Sequence, residues 1–399
     1  MASILILDRF YFPDEQATSV YLTELTRALG DKFQFDVLSG PPLVVTERNI
    51  PTPPVSRINQ VPCLRLPKSF LFARFLNDFS FLLAALWRGL FLRKPDLVVS
   101  QTSPPGIGWV GFFLSRWHRV RWIHVCQDLF PDNWRVLSGN RNQVFFSFLD
   151  RVNSLFLKRT DRVLVVGEDM KEKLLKKGLS LRQAVCIPNW VDLKFVRPLS
   201  KQNDFSERYR LTDKFVVLYA GNFGRVHNFE DLLDGAERLR DRLEVVFVLV
   251  GEGALKPGLL QECRSRNLTN VLIAPFEPRS RLPEVLAAAD VSVVLLKKGM
   301  AGLSVPSKIY SLLASARPIL AWVEEGSDIA RMVRESSSGF VIPPGNPEEF
   351  VHRVTTLYED PKLKNELGAN ARRYAEKKDF RASAFRDYAR VFREVLEGR

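Results

Sequence analysis

The chain is punctuated by short, unbroken apolar runs: VVLYA at 216–220, VVFVLV at 245–250 and VSVVLL at 291–296. None alternates apolar with polar residues, so none suits a sheet with one wet face. Such runs fit strands buried on both sides, as in a parallel sheet covered by helices. Further strand-like runs lie at 3–7, 96–100, 122–126 and 162–166, with weaker ones at 184–187 and 318–323. Helical periodicity fills the gaps, for example at 19–29, 168–177, 229–240 and 282–289. Strand–helix repetition from end to end predicts an α/β protein with doubly wound sheets.

At 399 residues the chain is too long for one ordinary core. The rhythm breaks between 189 and 209, where Pro198 and charged residues replace the periodic pattern. This places a boundary near residue 200, with one domain over 1–198 and a second over 199–378. A last helix over 379–397 carries an apolar stripe (Phe380, Ala384, Tyr388, Val391, Phe392, Val395) that suits packing on either half.

The net charge is +13, and the excess is uneven: residues 1–190 hold 25 Lys+Arg against 16 Asp+Glu. A basic half points to an anionic membrane, a phosphorylated substrate or a nucleic acid. No zinc-finger, RNP-type or basic-heptad pattern accompanies the charge, so nucleic acid is not an expected partner. Cys63, Cys126, Cys186 and Cys263 have no metal-ligand spacing and read as free thiols of a reducing compartment. The N-terminus runs straight into a strand with no secretory pattern, so a cytoplasmic protein is expected.

Residues 69–92 form the longest apolar segment, interrupted by Arg74, Asn77, Asp78 and Arg88. On a helical wheel these four share a narrow stripe. One reading is a helix packed on the sheet with that polar edge wet. The other is a helix lying on a membrane surface, with Arg93 and Lys94 near lipid phosphates. A transmembrane span is disfavoured by the internal charges.

Three strand-to-helix turns in the second half carry phosphate-type chemistry. After 216–220 comes GNFGR, in which Gly221 and Gly224 allow close backbone approach and Arg225 offers a guanidinium. After 245–250 comes Gly251 in GEG. After 291–296 comes GLSVPSKIY, with Ser304 as N-cap, Pro306 in the first turn and Ser307 and Lys308 at the helix start. A lysine there opposes the helix dipole unless an anion is bound. The turns converge at the carboxyl edge of a parallel sheet, where ligands of open α/β sheets bind. The set suits a diphosphate and requires no metal or other cofactor.

In the first half, WIHVCQDLFPDNWRVL at 122–137 is the most site-like segment. Asp128 ends a strand and is placed to hold or deprotonate an acceptor hydroxyl. His124 reads as a core histidine. Asp132 and Arg135, and Asp14, Glu15, Thr18 and Ser19 after the first strand, sit at the same edge; Thr18 or Ser19 also suits a helix cap. No serine-hydrolase elbow, HExxH or kinase signature is present.

With these motifs the chain resembles glycosyltransferase family 4, retaining enzymes of the GT-B fold. RFYFPDEQATSVYLTELTRAL, CIPNWVDLKFVRP, YAGNFGR, LVGEG, LAAADVSVVLL and VPSKIYSLLASARPILA follow the order of that family. GNFGR and VPSKIY are similar to a branch that builds bacterial surface polysaccharides such as colanic acid and O-antigen. The resemblance implies two Rossmann-like domains facing across a cleft, with the last helix, 379–399, packing back on the first. It implies a nucleotide sugar held by the second domain and an acceptor held by the first; the phosphate-type turns and the basic first half add the expectation of a glycan or lipid-linked sugar phosphate acceptor at the inner face of the cytoplasmic membrane. Catalysis falls to Asp128, Arg225 and Lys308, donor contacts to Gly221, Asn222, Gly251, Ser304, Ser307 and Ser311, and acceptor contacts to Asp14, Glu15 and Arg135. The sequence departs from the family at five positions. Leu303 and Ser311 stand where the family has two glutamates, Asn222 and His227 where it has an arginine and a lysine, and Gln127 where it has the histidine before Asp128. A GT-B sugar-nucleotide epimerase and a non-catalytic partner subunit are the alternatives.

Overall fold

A computed structural model describes residues 1–45, 53–55, 57–66, 71–139 and 141–398. The chain divides into two compact units. One comprises Met1–Asn189, Gly302–Ser304 and Ala382–Arg399; the other comprises Trp190–Ala301 and Val305–Arg381.

The first unit runs β1 (Ala2–Leu7), α1 (Ala17–Leu29), β2 (Phe33–Ser39), β3 (Arg57–Gln60), α2 (Leu71–Leu90), β4 (Leu97–Gln101), α3 (Ile107–His118), β5 (Arg121–Cys126), α4 (Asp132–Leu137), α5 (Gln143–Leu157), β6 (Arg162–Val165), α6 (Glu168–Lys176) and β7 (Ala184–Cys186). Its seven strands are all parallel, in the order β3-β2-β1-β4-β5-β6-β7. The order reverses between β1 and β4, which makes their carboxyl ends the switch point of this sheet. One face packs on α2 and α3 through Leu5, Leu7, Val98, Phe81, Ala85, Val110 and Leu114.

The second unit runs α7 (Asp204–Arg208), β8 (Phe215–Ala220), α8 (Phe229–Arg238), β9 (Val245–Val250), α9 (Lys256–Ser265), β10 (Val271–Ala274), α10 (Leu282–Ala287), β11 (Val291–Leu295), α11 (Lys308–Ala314), β12 (Ile319–Trp322), α12 (Asp328–Ser336), β13 (Gly339–Ile342), α13 (Pro347–Glu359) and α14 (Pro361–Lys378). Its strands are parallel in the order β10-β9-β8-β11-β12-β13, the dinucleotide-fold order with its switch between β8 and β11. Phe247, Trp322 and Phe350 fill one side of the core, with the Trp322 and Phe350 rings stacked at 4.5 Å. Each such fully buried side chain contributes roughly 1.5–3 kcal/mol.

The final helix, α15 (Phe380–Leu396), belongs to the first unit from Ala382 onward. Ala384, Tyr388, Val391, Phe392 and Val395 are buried there, and Phe392 meets the Phe33 ring edge-on at 5.7 Å. The first segment of the first unit ends at Asn189, upstream of the boundary placed near residue 200. The reason is Arg372 on α14, which donates to the carbonyls of Leu193 and Val196 and ties that stretch to the second unit.

Three sequence expectations are corrected. The helix over 69–92 is found as α2, with Ser69, Phe70 and the Arg74 side chain outside what the structure describes, but its polar residues do not share one wet edge: Arg88 is exposed, whereas Asn77 and Asp78 turn to protein partners. Asn77 is buried and exchanges hydrogen bonds with the backbone of Leu66, while Asp78 pairs with buried Arg9. Ser304 is not a helix cap: α11 begins at Lys308 with Ser307 before it. Nor do Thr18 or Ser19 cap α1, whose N-cap position is Gln16.

Candidate active site

In the second unit the β8 and β9 turns interlock. Gly221 (φ 143°) and Gly251 (φ 149°) both occupy backbone conformations that side-chain-bearing residues avoid. The Gly221 amide donates to the Val250 carbonyl at 2.9 Å, and a Cβ on Gly251 would collide with the Gly221 carbonyl oxygen. The Tyr219 hydroxyl donates to the Asn222 carbonyl at 2.8 Å and holds the turn from below. Asn222 and Arg225 are exposed on this turn.

Lys308 reaches this turn from α11. Its stem is partly exposed, but its Nζ is sealed from solvent and has no hydrogen-bond partner. The ammonium lies 3.4 Å from the centroid of the Tyr219 ring, a cation–π contact. A Cβ on Gly221 would stand 2.9 Å from it, so the missing side chain is what makes room. Burial holds the Lys308 ammonium well below the usual lysine range. His227, at the family's lysine position, is buried and pulled down to about 3, first by burial and then by the charge of Lys308. Its Nδ1 lies 2.7 Å from the Leu295 carbonyl, so it donates there as a neutral ring. Arg225 is exposed and His227 is neutral, so at the β8 turn Lys308 is the buried basic group with no hydrogen-bond partner. A buried cation without a partner is costly, and an anion at the switch point would satisfy it. Ser311 donates to the Lys308 carbonyl at 2.8 Å, leaving its oxygen free to accept.

Leu303 and Ser304 are found in the first unit. The Leu303 carbonyl accepts from the Leu129 amide at 2.8 Å, and Ser304 forms a bridge with Asp128 and a side-chain hydrogen bond to its carboxylate. Burial raises the Asp128 carboxyl above its ordinary range, and the Ser304 hydroxyl opposes that rise. Asp128 borders a cavity also lined by Thr102, Gly108, His124, Cys126 and Asn153. His124 is a core residue, its Nδ1 2.8 Å from the Ser100 hydroxyl, and burial lowers it to about 4. Gln127 forms a reciprocal amide pair with Asn189, at 2.9 and 3.3 Å.

The acceptor contacts read from sequence divide. Asp14 is buried and accepts from the amides of Gln16 (3.0 Å) and Leu43 (2.7 Å), so it organises the β1–α1 loop. Glu15 is half-buried in the same loop, its amide bonded to the Val44 carbonyl. Arg135 lies on α4 with its Nε buried and without a partner. Sequence reading passed over Asp8. Its Oδ1 accepts from the Phe10 amide at 2.7 Å, its Oδ2 has no partner, and burial pushes its carboxyl well above the usual range. The register Leu7↔Leu38 and Leu7↔Ser100 sets Asp8 beside Ser39 and Gln101, whose side chains also hold buried, unmatched polar atoms. An aspartate closing an apolar run reads simply as the end of a strand, and no spacing marks it. Among the described residues no group of three or more His, Cys, Asp or Glu is arranged to hold a metal ion.

With this geometry in view, the comparisons with known proteins are decisive. Residues 18–195 match Glycosyltransferase Family 4, and residues 200–374 match Glycosyl transferases group 1. The chain belongs to the family 4 glycosyltransferases. It is 27% identical over 368 residues to the Probable glycosyltransferase WbjE of Pseudomonas aeruginosa, covering 90% of each chain. It is 29% identical over 202 residues to the O-antigen chain mannosyltransferase C of Escherichia coli, covering 48% of this chain and 50% of that one. Its fold is similar to that of Anabaena HepE, solved in complex with UDP and glucose, with a TM-score of 0.76, 15% identity and coverage of 99% and 100%. This family 4 transferase therefore has the GT-B architecture, two Rossmann-like units, and acts in glycan biosynthesis.

Proposed function

We propose that the protein transfers a hexosyl group, with retention, from a nucleoside-diphosphate sugar to a lipid-linked sugar phosphate or growing surface polysaccharide at an anionic membrane. The observation that carries this reading is the buried, unmatched Lys308 ammonium over Tyr219, beside Gly221 and Gly251. A diphosphate at the β8–β11 switch point supplies the missing counter-charge, and the same ammonium stabilises that diphosphate as it leaves. Arg225 assists from the rim, Asn222, Ser307 and Ser311 contact the donor, and no metal is required. Asp128 orients the acceptor hydroxyl. Its raised carboxyl pKa moves it toward the range where a base accepts a proton effectively. In the transfer the anomeric C–O bond to the diphosphate breaks and its electron pair leaves with the diphosphate, the acceptor oxygen bonds to the anomeric carbon, and the acceptor proton passes to the Asp128 carboxylate. The named relatives, an O-antigen transferase among them, and the fold neighbour bound to UDP and glucose support the substrate classes. The basic excess in residues 1–190 supports the membrane.

The test is the thermal shift of the full chain with UDP, GDP, ADP and dTDP, each with and without EDTA, followed by transfer assays with the matching sugar. One nucleotide raises the melting temperature by mass action, unchanged by EDTA. NMR of the product shows the anomeric configuration of the donor. Nucleotide binding without turnover, with activity appearing only when a second chain is added, would instead make the protein a partner subunit that has lost both family glutamates.

A further inference from the structure

The α2 helix is inverted relative to an ordinary surface helix. Between Phe75 and Trp87 its exposed residues are Phe75, Phe79, Leu83 and Trp87, at 54, 47, 52 and 68%. Phe91 continues the ladder at 65%. The rings support one another: Phe75 and Phe79 stack at 5.9 Å, and Trp87 meets Phe91 edge-on at 5.1 Å. Polar Asn77 and Asp78 face inward, as described above. The neighbouring helices extend the same surface. On α3, Phe113 and Trp117 are exposed at 50 and 64%, and on α5 Phe148 and Leu155 at 63 and 51%. The three helices are pinned together, by Trp117 Nε1 donating to the Leu90 carbonyl at 3.1 Å and by Phe156 of α5 packing on Phe112 and Phe113 of α3. An exposed apolar face of this extent marks an interaction surface.

Charge selects the partner. The two carboxylates on these helices, Asp78 and Asp150, are paired with Arg9 and Lys177. Among the described residues, the exposed charged side chains on α2, α3 and α5 are Arg88, Arg116 and Arg151, with Arg93, Lys94 and Arg119 just beyond the helix ends. A second copy of this face would bring arginines against arginines. Aromatic rings interleaved with arginines match the boundary of a bilayer, where rings enter the acyl edge and guanidinium groups meet phosphates. Among the described residues no helix is long and apolar enough to cross a membrane.

We infer that α2, α3 and α5 form a docking platform that inserts the Phe75–Phe91 ladder, Phe113, Trp117 and Phe148 into an anionic phospholipid surface. This deepens the membrane assignment proposed above and does not depend on which sugar is transferred.

The experiment uses the full chain with vesicles of phosphatidylethanolamine and phosphatidylglycerol, or of phosphatidylcholine alone, read by co-sedimentation. Acyl-brominated lipids report whether tryptophan enters the bilayer. The protein partitions onto the anionic vesicles about tenfold or more over phosphatidylcholine, and brominated lipid quenches its fluorescence. The triple variant Phe79→Ser, Leu83→Ser, Trp87→Ser lowers partitioning about tenfold or more and reduces the quenching. The variant Arg88→Gln, Arg116→Gln, Arg151→Gln removes the preference for anionic lipid. Absence of vesicle binding, or binding unchanged in the serine variant, overturns the platform. So does a wild-type dimer that the serine variant dissociates, which would assign the face to a second copy. The nucleotide-induced thermal shift, measured on the same preparations, reports the fold and the donor site separately. A retained shift without vesicle binding rejects the platform alone, and vesicle binding without any shift rejects the donor reading alone.

Discussion

The Lys308 ammonium sits 3.4 Å from the centre of the Tyr219 ring, with Nζ buried and no hydrogen-bond partner. Burial disfavours its charge, and the aromatic face offsets that only in part. Replacing Lys308 with Met removes the charge while keeping most of the volume. The expected result is a nucleotide-free protein stabilised by about 1 kcal/mol, a change typical of removing one such liability. The same variant loses the nucleotide-induced thermal shift, and its kcat/KM falls by roughly 10²–10³, as when a group stabilising developing negative charge is removed. Parallel melting curves and transfer assays check both halves.

The pH dependence follows from the same residue. In the free protein Lys308 titrates well below its unfolded value. Between the folded and unfolded pKa values the unfolded chain binds more protons, so stability contributed through Lys308 rises with pH across that window. A bound diphosphate favours the protonated form, so nucleotide binding takes up a proton and weakens as pH rises. Calorimetry in buffers of different ionisation enthalpy measures that uptake, and Lys308→Met abolishes it. His227, lowered to about 3, adds nothing near neutral pH.

Asp128→Asn separates the acceptor from the donor. The carboxyl is raised by burial, so its ionisation works against folding: stability contributed through it is fully present below the unfolded pKa and falls as pH rises toward the folded one. The neutral amide removes that dependence and leaves the melting temperature at neutral pH equal to or above wild type. Transfer falls by roughly 10²-fold or more while the nucleotide shift is retained. A variant with full transfer activity would remove Asp128 from the chemistry.

Gly251→Ala tests the interlocked turns. It forces a side chain into a positive-φ conformation and against the Gly221 carbonyl. Urea denaturation is expected to show a loss of about 2 kcal/mol or more, because both the backbone and the neighbouring turn must move.

The sequence was most legible where strands are buried on both faces. The central runs, such as Val245–Val250 and Val291–Leu295, were read almost to the residue. Those passed over are peripheral or alternating: Arg57–Gln60, Val271–Ala274 and Gly339–Ile342 are edge strands, and Phe33–Ser39 is interrupted by Gln34 and Asp36. Short edge strands bury too little to leave a long apolar signature. Gly221, Gly251 and Lys308 stand out in the sequence because a turn glycine and a lysine opposing the helix dipole carry physical meaning on their own; their part in donor binding is the proposal above. Ser304 was misread because its partner, Asp128, is distant in sequence and no local pattern announces the pairing. The inward turn of Asn77 and Asp78 on α2 is hidden for a similar reason: a helical wheel shows which residues share a face, not which way that face points.

The space left by Gly221 is the space that Lys308 fills, and this has a consequence for descent. The two positions lie on different elements, and the dependence runs one way. Any side chain at 221 would crowd the ammonium, whereas a shorter residue at 308 would free that space and leave the positive φ of Gly221 as it is. In chains of this lineage a change at 221 should therefore come with a change at 308, while a change at 308 leaves the glycine in place.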